Sequence, residues 1–294
     1  MAPTPIIRSF DSRADYDACV RLQRETWGQD FVDVVPATIL MVSQRVGGVS
    51  AGAFDADGRL LGFVFGISGI RDGKPAHWSD MLAVRPEARG AGLGKRLKHF
   101  QRDQLLERGI RRMLWTYDPL VARNANLNLN GLGARPVEYV ANMYGDTRSA
   151  LHAGLDTDRF VVEWRLDEAG PAKEGGAGPG KKRAATVVTG TAPVVDPAWF
   201  ERERPLPTDP WVRVAAPADI DGLKAADPAC ARAWQQAQRR AFTWYLADGY
   251  RVSGFEHRRA PDDSHYLVTR EPDPAIGAPA AAGGSSQSPA TEDR

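Results

Sequence analysis

This chain has little of what usually announces a protein class. Its 294 residues include only two cysteines, Cys19 and Cys230. They lie far apart, outside any redox or metal-ligand spacing, and read as reduced core thiols in a cytoplasmic protein. Charge of one sign is missing as well. There are 38 Lys and Arg against 37 Asp and Glu, a net +1, so the basic footprint expected of a nucleic-acid or anionic-membrane partner is absent. No apolar run approaches the roughly 20 residues a membrane helix needs. The stretch from Met1 to Ser12 has neither the charged start nor the apolar block of a secretory leader. No metal is expected. What is present is 43% apolar residues, enough for a core in one large or two ordinary domains.

The most informative stretch is Arg89-Gly90-Ala91-Gly92-Leu93-Gly94. It lies between an apolar run, Met81-Leu82-Ala83-Val84, and a segment with helical character, Lys95 to Arg108. Glycines let a backbone approach a ligand and make turns that a Cβ would block. The free N–H groups of a first helical turn and the helix dipole then favour an anion. The loop therefore reads as a pyrophosphate cradle. A magnesium-nucleotide loop needs Ser or Thr after Gly-Lys, and here Arg96 follows Gly94-Lys95. The dinucleotide fingerprint needs G-x-G-x-x-G, and Gly90-Ala91-Gly92-Leu93-Gly94 has the wrong last spacing.

The remaining pattern predicts a β-α-α-β-β-β-α-β-α-β-β order. Strands are expected at Ile6–Ser9, Val49–Phe54, Leu60–Ile67, His77–Val84, Arg111–Tyr117, Val137–Tyr144 and Arg159–Leu166, with helices at Asp15–Trp27, Pro36–Arg45 and Leu120–Leu132. Asp55-Ala56-Asp57-Gly58 is a hairpin signal, and Gly133 suits a helix C-cap. A Gly, Ala, Lys and Pro-rich linker spans 168–192. Beyond it, strands are expected at Trp211–Ala215, Tyr250–Phe255 and His265–Thr269 and helices at Ala218–Ala226 and Cys230–Ala247. Residues 272–294 read as a disordered tail. The organisation is thus 1–167, a 168–192 linker, a 193–271 module and a 272–294 tail.

Arg89, Gly92 and Gly94 fill an Arg/Gln-x-x-Gly-x-Gly/Ala pattern, and Met81 to Glu87 precede it as a strand with a Pro-Glu exit. Together with the element order from Ile6 to about Asp167, this resembles the GNAT superfamily of acyl-CoA N-acyltransferases. The resemblance implies an α/β fold with a mixed central sheet and flanking helices. Tyr245 to Tyr250 resembles the helix-to-strand junction that ends a GNAT core, so the 193–271 module is expected to be a smaller α+β, partial GNAT-like unit. It would pack on the core or pair across a homodimer. A second block, running from Trp115 to Leu120 and through Arg123-Asn124-Ala125, Asn128, Leu132-Gly133-Ala134 and Asp158-Arg159-Phe160, resembles a bacterial GNAT subgroup with a C-terminal extension. Some of that subgroup occur beside enzymes of N-acylamino acid metabolism.

From the resemblance follow site expectations. Gly90, Ala91, Gly92, Leu93, Gly94 and Lys95, with Arg89, would hold the pyrophosphate of acetyl-CoA or another acyl-CoA, succinyl-CoA included. Leu82 and Val84 would offer main-chain groups to the pantetheine arm and the thioester carbonyl, and Asn124 would lie near that arm. Many family members carry a tyrosine four residues before the Gly of Gly-Phe, as the acid that protonates the leaving thiolate. Here that position is Leu129, and Ala134 follows Gly133. Tyr117 ranks first as a replacement and Tyr144 second, with Tyr139 behind them. Asp80 is the candidate base, or else a structural hydrogen-bonding group; His77 and Glu25 are weaker candidates. Arg123 and Arg135, with Arg148 and Arg159, are candidate clamps for a substrate carboxylate, arginine being suited to bidentate contact. The expected partner is a small-molecule amine, an amino acid first. An acyl-CoA-binding regulator without catalysis and a peptide or protein N-acetyltransferase stay open beside it.

Overall fold

The computed structural model describes residues 4–145, 154–168, 191–257 and 264–270. The linker interior, Arg148 and the tail lie outside the described residues. Two sheets form. The first has seven strands in the order β1-β2-β3-β4-β5-β7-β6, with β1 Ile6–Ser9, β2 Val49–Phe54, β3 Leu60–Arg71, β4 Lys74–Val84, β5 Arg112–Tyr117, β6 Arg135–Val140 and β7 Arg159–Arg165. Only β4 and β5 are parallel neighbours in it.

Helices α1 Arg13–Trp27 and α2 Ala37–Arg45 cover one face, here the front. Tyr16, Cys19, Leu22 and Leu40 pack there on Phe63, Phe65, Met81 and Ala83. Ser12 caps α1 by accepting from the Asp15 N–H. Helix α3, Leu93–Glu107, covers the back through Leu93, Leu97 and Leu105, which join Val64, Met113 and Trp115. The Cys19 thiol is buried on the front, and burial pushes its pKa up to about 12, as expected of an inert core thiol.

Several expected bounds shift. Strands β3 and β4 run on past Ile67 and before His77 as a long hairpin, closed at Asp72 (φ 52°) and Gly73 (φ 70°). Two successive left-handed residues make the tight turn that Asp-Gly favours, a signal the spacing of apolar residues hid. The helix expected at Leu120–Leu132 is a short α4, Ala122–Ala125, followed by a wider π-helical turn, Asn126–Leu132, with Gly133 left-handed at its end. Strand β6 stops at Val140, four residues early, because a turn at residues 141–144 follows, with Asn142 at φ 46°.

The second sheet, β10-β11-β9-β8, comprises β8 Val194–Val195, β9 Trp211–Ala216, β10 Arg251–Glu256 and β11 Ser264–Thr269. Its helices are α5 Pro197–Glu201, α6 Ile220–Ala226 and α7 Pro228–Ala247; β8 and α5 are too short to leave a periodic signal. This module packs on the back of the first sheet. Phe160 of β7 meets Phe242 of α7 at 4.6 Å between ring centroids and Tyr266 of β11 at 5.5 Å. Asp158 clasps the two parts, accepting from Tyr139 Oη at 2.6 Å and from Arg239 Nε at 2.8 Å.

Candidate functional site

The site begins with a bulge. Between Phe65 and Ile67 β3 has one residue, Gly66, where β4 between Met81 and Trp78 has two. The extra residue falls at Ser79-Asp80. On the other side of β4, pairing with β5 covers only His77–Met113 and Trp78–Leu114. Beyond that point the parallel strands separate. The second half of β4 therefore has a strand on one side only, and alternate main-chain N–H and C=O groups from Ser79 to Val84 face the gap.

A cavity of about 540 Å³ fills the gap, lined by side chains from both faces of the sheet. On the front it is lined by Trp27, Phe31, Asp33, Asp80, Met81, Thr116 and Tyr144, and on the back by Ser79, Leu82, Lys98, Trp115, Tyr117, Asn124 and Asn128. Asp118, Arg123, Arg159 and, from α6, Asp221 and Lys224 close one end. The expected residues Asp80, Tyr117, Tyr144, Leu82, Asn124 and Arg123 thus surround one space.

The glycine loop sits at the α3 end of the gap rather than in the cavity wall. Gly90 (φ 85°) and Gly92 (φ 70°) are left-handed, which glycine adopts without strain. Gly92 is the N-cap of α3 and no side chain caps that end, so the first-turn N–H groups of Leu93, Gly94 and Lys95 point outward without helical partners. A Cβ on Gly94 would meet Leu82 and Val84 at ordinary contact distances of 3.5 and 3.9 Å. Packing therefore does not demand a glycine at this position. Arg89 folds back, donating from Nε to the Val84 carbonyl at 3.0 Å.

Other expectations part from the geometry. Arg135 opens β6 opposite Glu163 and is not among the cavity-lining residues, because β7 stands between β6 and β5. Tyr139 is committed to Asp158. His77 is fully buried behind β4, bonded through Nδ1 to Ser68 and through Nε2 to Gln101. Burial and the Lys98 and Arg108 charges lower its pKa to about 3, so it is neutral and out of reach. Glu25 pairs with Arg85 outside the cavity. Tyr245 and Tyr250 donate to the carbonyls of Pro207 and Asp209 and are structural aromatics.

The electrostatics divide the cavity. Asp80 faces its open front; the enclosing walls and then the nearby Asp33 carboxylate push its pKa up, against a hydrogen bond from Trp78. Tyr144 Oη shares a hydrogen bond with Thr116 Oγ1 at 2.8 Å, and burial raises its pKa. Tyr117 is fully enclosed, and burial drives its pKa well above 10. Asp221 accepts from Arg123 at 3.2 Å and from Lys224 at 3.1 Å. Arg159 is 7% exposed and donates to the Asp158 carbonyl. Lys98, 5% exposed, donates to Ser79 Oγ at 2.7 Å. Sequence reasoning passed over Lys98, although it lies on the inward arc of α3 with Leu97, Gln101 and Leu105, where a charge is out of place. Asp33, Asp221 and Lys224 carried no local signal, since only tertiary packing brings them here.

Residues 17–127 match the model of the acetyltransferase (GNAT) family. The chain carries a GNAT domain. Among solved structures it is similar to the phosphinothricin acetyltransferase of Sinorhizobium meliloti in complex with AcCoA, at 20% identity over 60% of this chain and 97% of that one, TM-score 0.45. It is also similar to aminoglycoside 6'-acetyltransferase type Ii, at 20% identity over 56% and 99%, TM-score 0.44. A third is the ribosomal-protein-S18-alanine N-acetyltransferase of Escherichia coli, at 18% identity over 57% and 98%, TM-score 0.42. Comparison with curated protein sequences gives no match. The matched family is one of acetyltransferases, and the match falls on the α1–α4 part of the first sheet and its helices. Among the described residues no helix is long and apolar enough to cross a membrane and no cluster of three or more metal-ligating side chains occurs.

Proposed function

We propose that this enzyme moves an acetyl or succinyl group from coenzyme A directly to the amine of a small molecule, an amino acid above all. One observation carries the choice of acceptor. The cavity is walled at one end by α6, and its charges are unevenly spread: Asp33 and Asp80 crowd the front, while three cations, Arg123, Arg159 and Lys224, share the closed end with Asp118 and Asp221. An ammonium beside the first group and a carboxylate beside the second is the charge pattern of an amino acid. A peptide chain would need an open path that the α6 wall, with Asp221 and Lys224, obstructs.

In this reading the N–H groups from Ala91 to Lys95 hold the pyrophosphate, and the pantetheine arm follows the free edge of β4 past Val84 and Leu82. Asn124 stands across from it. A main-chain N–H on that edge stabilises the oxyanion as the thioester carbon becomes tetrahedral, a contribution of roughly 3–4 kcal/mol in other acyl-transfer enzymes. The acceptor loses its ammonium proton to solvent before it attacks, and Asp80 takes the proton the amine nitrogen sheds as it bonds to the acyl carbon, directly or through a water. Its raised pKa keeps it a stronger base than an ordinary carboxylate. Tyr144 lies on the same face and orients the acceptor through its Thr116-held hydroxyl. The 193–271 module belongs to the working unit, because Asp221 and Lys224 complete the wall.

The test is calorimetric titration with acetyl-CoA, succinyl-CoA and coenzyme A, then thiol release over a panel of free amino acids, other small amines and peptides. Micromolar binding of one acyl form and turnover with amino acids support the proposal. Binding without turnover on any acceptor makes the chain a regulator. Turnover on peptides alone moves it to the protein-acetyltransferase class.

A further inference from the structure

We propose that the Lys98 ammonium donates the proton that the coenzyme A thiolate takes up as it leaves. The inference rests on the acyl-CoA N-acyltransferase reading of the cavity and adds the group that completes its proton balance.

The position comes first. The glycine loop and α3 lie on the back of the sheet, so the coenzyme enters the gap from that face. Lys98 stands one helical turn beyond Gly94 on the same helix, and its Nζ reaches the cavity between Ser79 Oγ, at 2.7 Å, and the Trp115 ring, 4.0 Å from the centroid. Asp80 opens to the front and Lys98 to the back, with the bulge of β4 between them. An acyl group lodged in the gap therefore has the base on its acceptor side and Lys98 on its sulfur side.

The neighbours are arranged to hold an amine there. Ser79 Oγ donates to Gln101 Oε1 at 2.8 Å, which leaves its lone pairs for Lys98. Gln101 Nε2 then donates to His77 Nε2 at 2.9 Å, His77 Nδ1 to Ser68 Oγ at 2.9 Å, and Ser68 Oγ to the Gly47 carbonyl at 2.7 Å. Every bond in the chain runs in one sense, so Ser79 is fixed as an acceptor toward Lys98. Gly66 makes room for it: a Cβ there would stand 2.2 Å from His77 Nε2. No carboxylate pairs with Lys98 among the described residues, and its charge rests on Ser79 Oγ and the Trp115 face.

The chemistry fits. Burial lowers the Lys98 pKa to about 7, below the roughly 8.5 of an ordinary thiol, so transfer to the sulfur runs downhill. The acceptor nitrogen bonds to the acyl carbon and the C–S bond breaks with its electron pair on sulfur. Sulfur takes a proton from Nζ, and Asp80 takes the one shed by the amine. Lys98 is left neutral and is recharged from solvent, as Asp80 discharges to it. The alternatives are worse placed. Leu129 has no proton, Tyr144 is on the front, and burial makes Tyr117 a far weaker acid. The titratable groups facing Lys98 are His77 and Asp80 from β4, and Tyr117 and Asp118 from β5 and its exit; α4 and its π-helical turn offer only Asn124 and Asn128. His77 is held near 3 and Tyr117 above 10, and burial pushes both carboxyls up, so it is the loss of the alkaline fall in Lys98→Met that assigns that ionisation to Lys98.

The experiment compares the wild type with Lys98→Met and Lys98→Arg, using acetyl-CoA with the amino acid panel, thiol release across neutral pH, and calorimetric binding of acetyl-CoA. The wild-type kcat is expected to fall as pH rises through the Lys98 ionisation. Lys98→Met should lose about 100-fold in kcat and lose that alkaline fall, with acetyl-CoA affinity nearly unchanged. Lys98→Arg, which keeps the charge but not a transferable proton, should be as slow. Wild-type kcat in either folded variant, or an alkaline fall that survives in both, overturns the inference alone. A wild type that binds acetyl-CoA but turns over nothing removes the transferase reading, and this inference falls with it.

Discussion

The first sheet ends in the order β4-β5-β7-β6 and the second runs β8-β9-β11-β10; in each, the first pair is parallel and the next two are antiparallel. A helix joins the parallel pair in both. The second sheet thus repeats the second half of the first, and yet among the described residues the cavity opens between parallel strands of the first alone. Three local differences separate them. Strand β4 has eleven residues and a bulge, while β8 has two, so there is no length over which β8 and β9 could part. Helix α3 begins on an uncapped glycine, while α5 begins on Asp196, whose carboxylate accepts from the Trp199 N–H at 2.9 Å. Finally, the tyrosine hydroxyls of the second unit are spent on carbonyls. Topology supplies a place for a site, and a few unsatisfied groups make it one.

The sharpest way to test that contrast is Asp80→Asn at the bulge. Turnover should fall by about 100-fold or more, while calorimetric affinity for acetyl-CoA stays near wild type. In the wild type kcat/KM should rise with pH through the raised Asp80 pKa, since only the ionised carboxylate is a base, and should fall away below it. A flat acid limb would remove Asp80 from that role.

Next comes the clasp that joins the two units. Asp158 is 2% exposed and receives Arg239, Tyr139 and the Asn142 N–H. Burial opposes its charge, but these bonds outweigh it and hold its pKa below the usual carboxylate value. A depressed folded pKa contributes stability above the unfolded value, and that stability is lost as pH falls through the folded one. Arg239→Met leaves a buried carboxylate unpaired and should cost about 3–5 kcal/mol in denaturant unfolding. It should also flatten the acid dependence of Tm. Independent unfolding of the two units in the wild type would break the picture of one working unit.

Two smaller changes set the helix starts against each other. Gly92→Glu places a charge at the cradle in a left-handed position that costs about 1–2 kcal/mol for a side chain. Acetyl-CoA binding should weaken by about 10- to 100-fold or more, at 1.4 kcal/mol per factor of ten; unchanged affinity would detach the loop from the pyrophosphate. Asp196→Ala at the matching place in the second unit should lower stability by about 0.5–2 kcal/mol and leave coenzyme affinity alone.

Much of this was legible along the chain. Val49–Phe54, Arg159–Leu166 and the helix after Gly94 stand within a residue or two of their expected bounds, because alternation and helical spacing report which side of an element is buried. Length and register were less so. The β3–β4 hairpin runs further than its apolar pattern, since Asp72-Gly73 decides the turn and the strand ends are solvent-facing. Among cavity-lining residues, Asp80 and Leu82 could be named from the strand before the glycine loop, Asn124 from its offset to Gly133, and Tyr117 from its place at the end of the neighbouring strand. Arg135 could not be placed by the same means, and β7 screens it from the cavity.

The sequence by itself determined the element order, the α3 glycine start and the absence of a tyrosine at Leu129, all of which are local properties of spacing and residue type. Tertiary structure alone decided where β4 and β5 part, that Asp33, Asp221 and Lys224 share a cavity with Asp80, and that an interior lysine lies beside Ser79. Those depend on long-range pairing and on how much water each charge keeps, and solvation is a property of the packed chain, not of any window of its sequence.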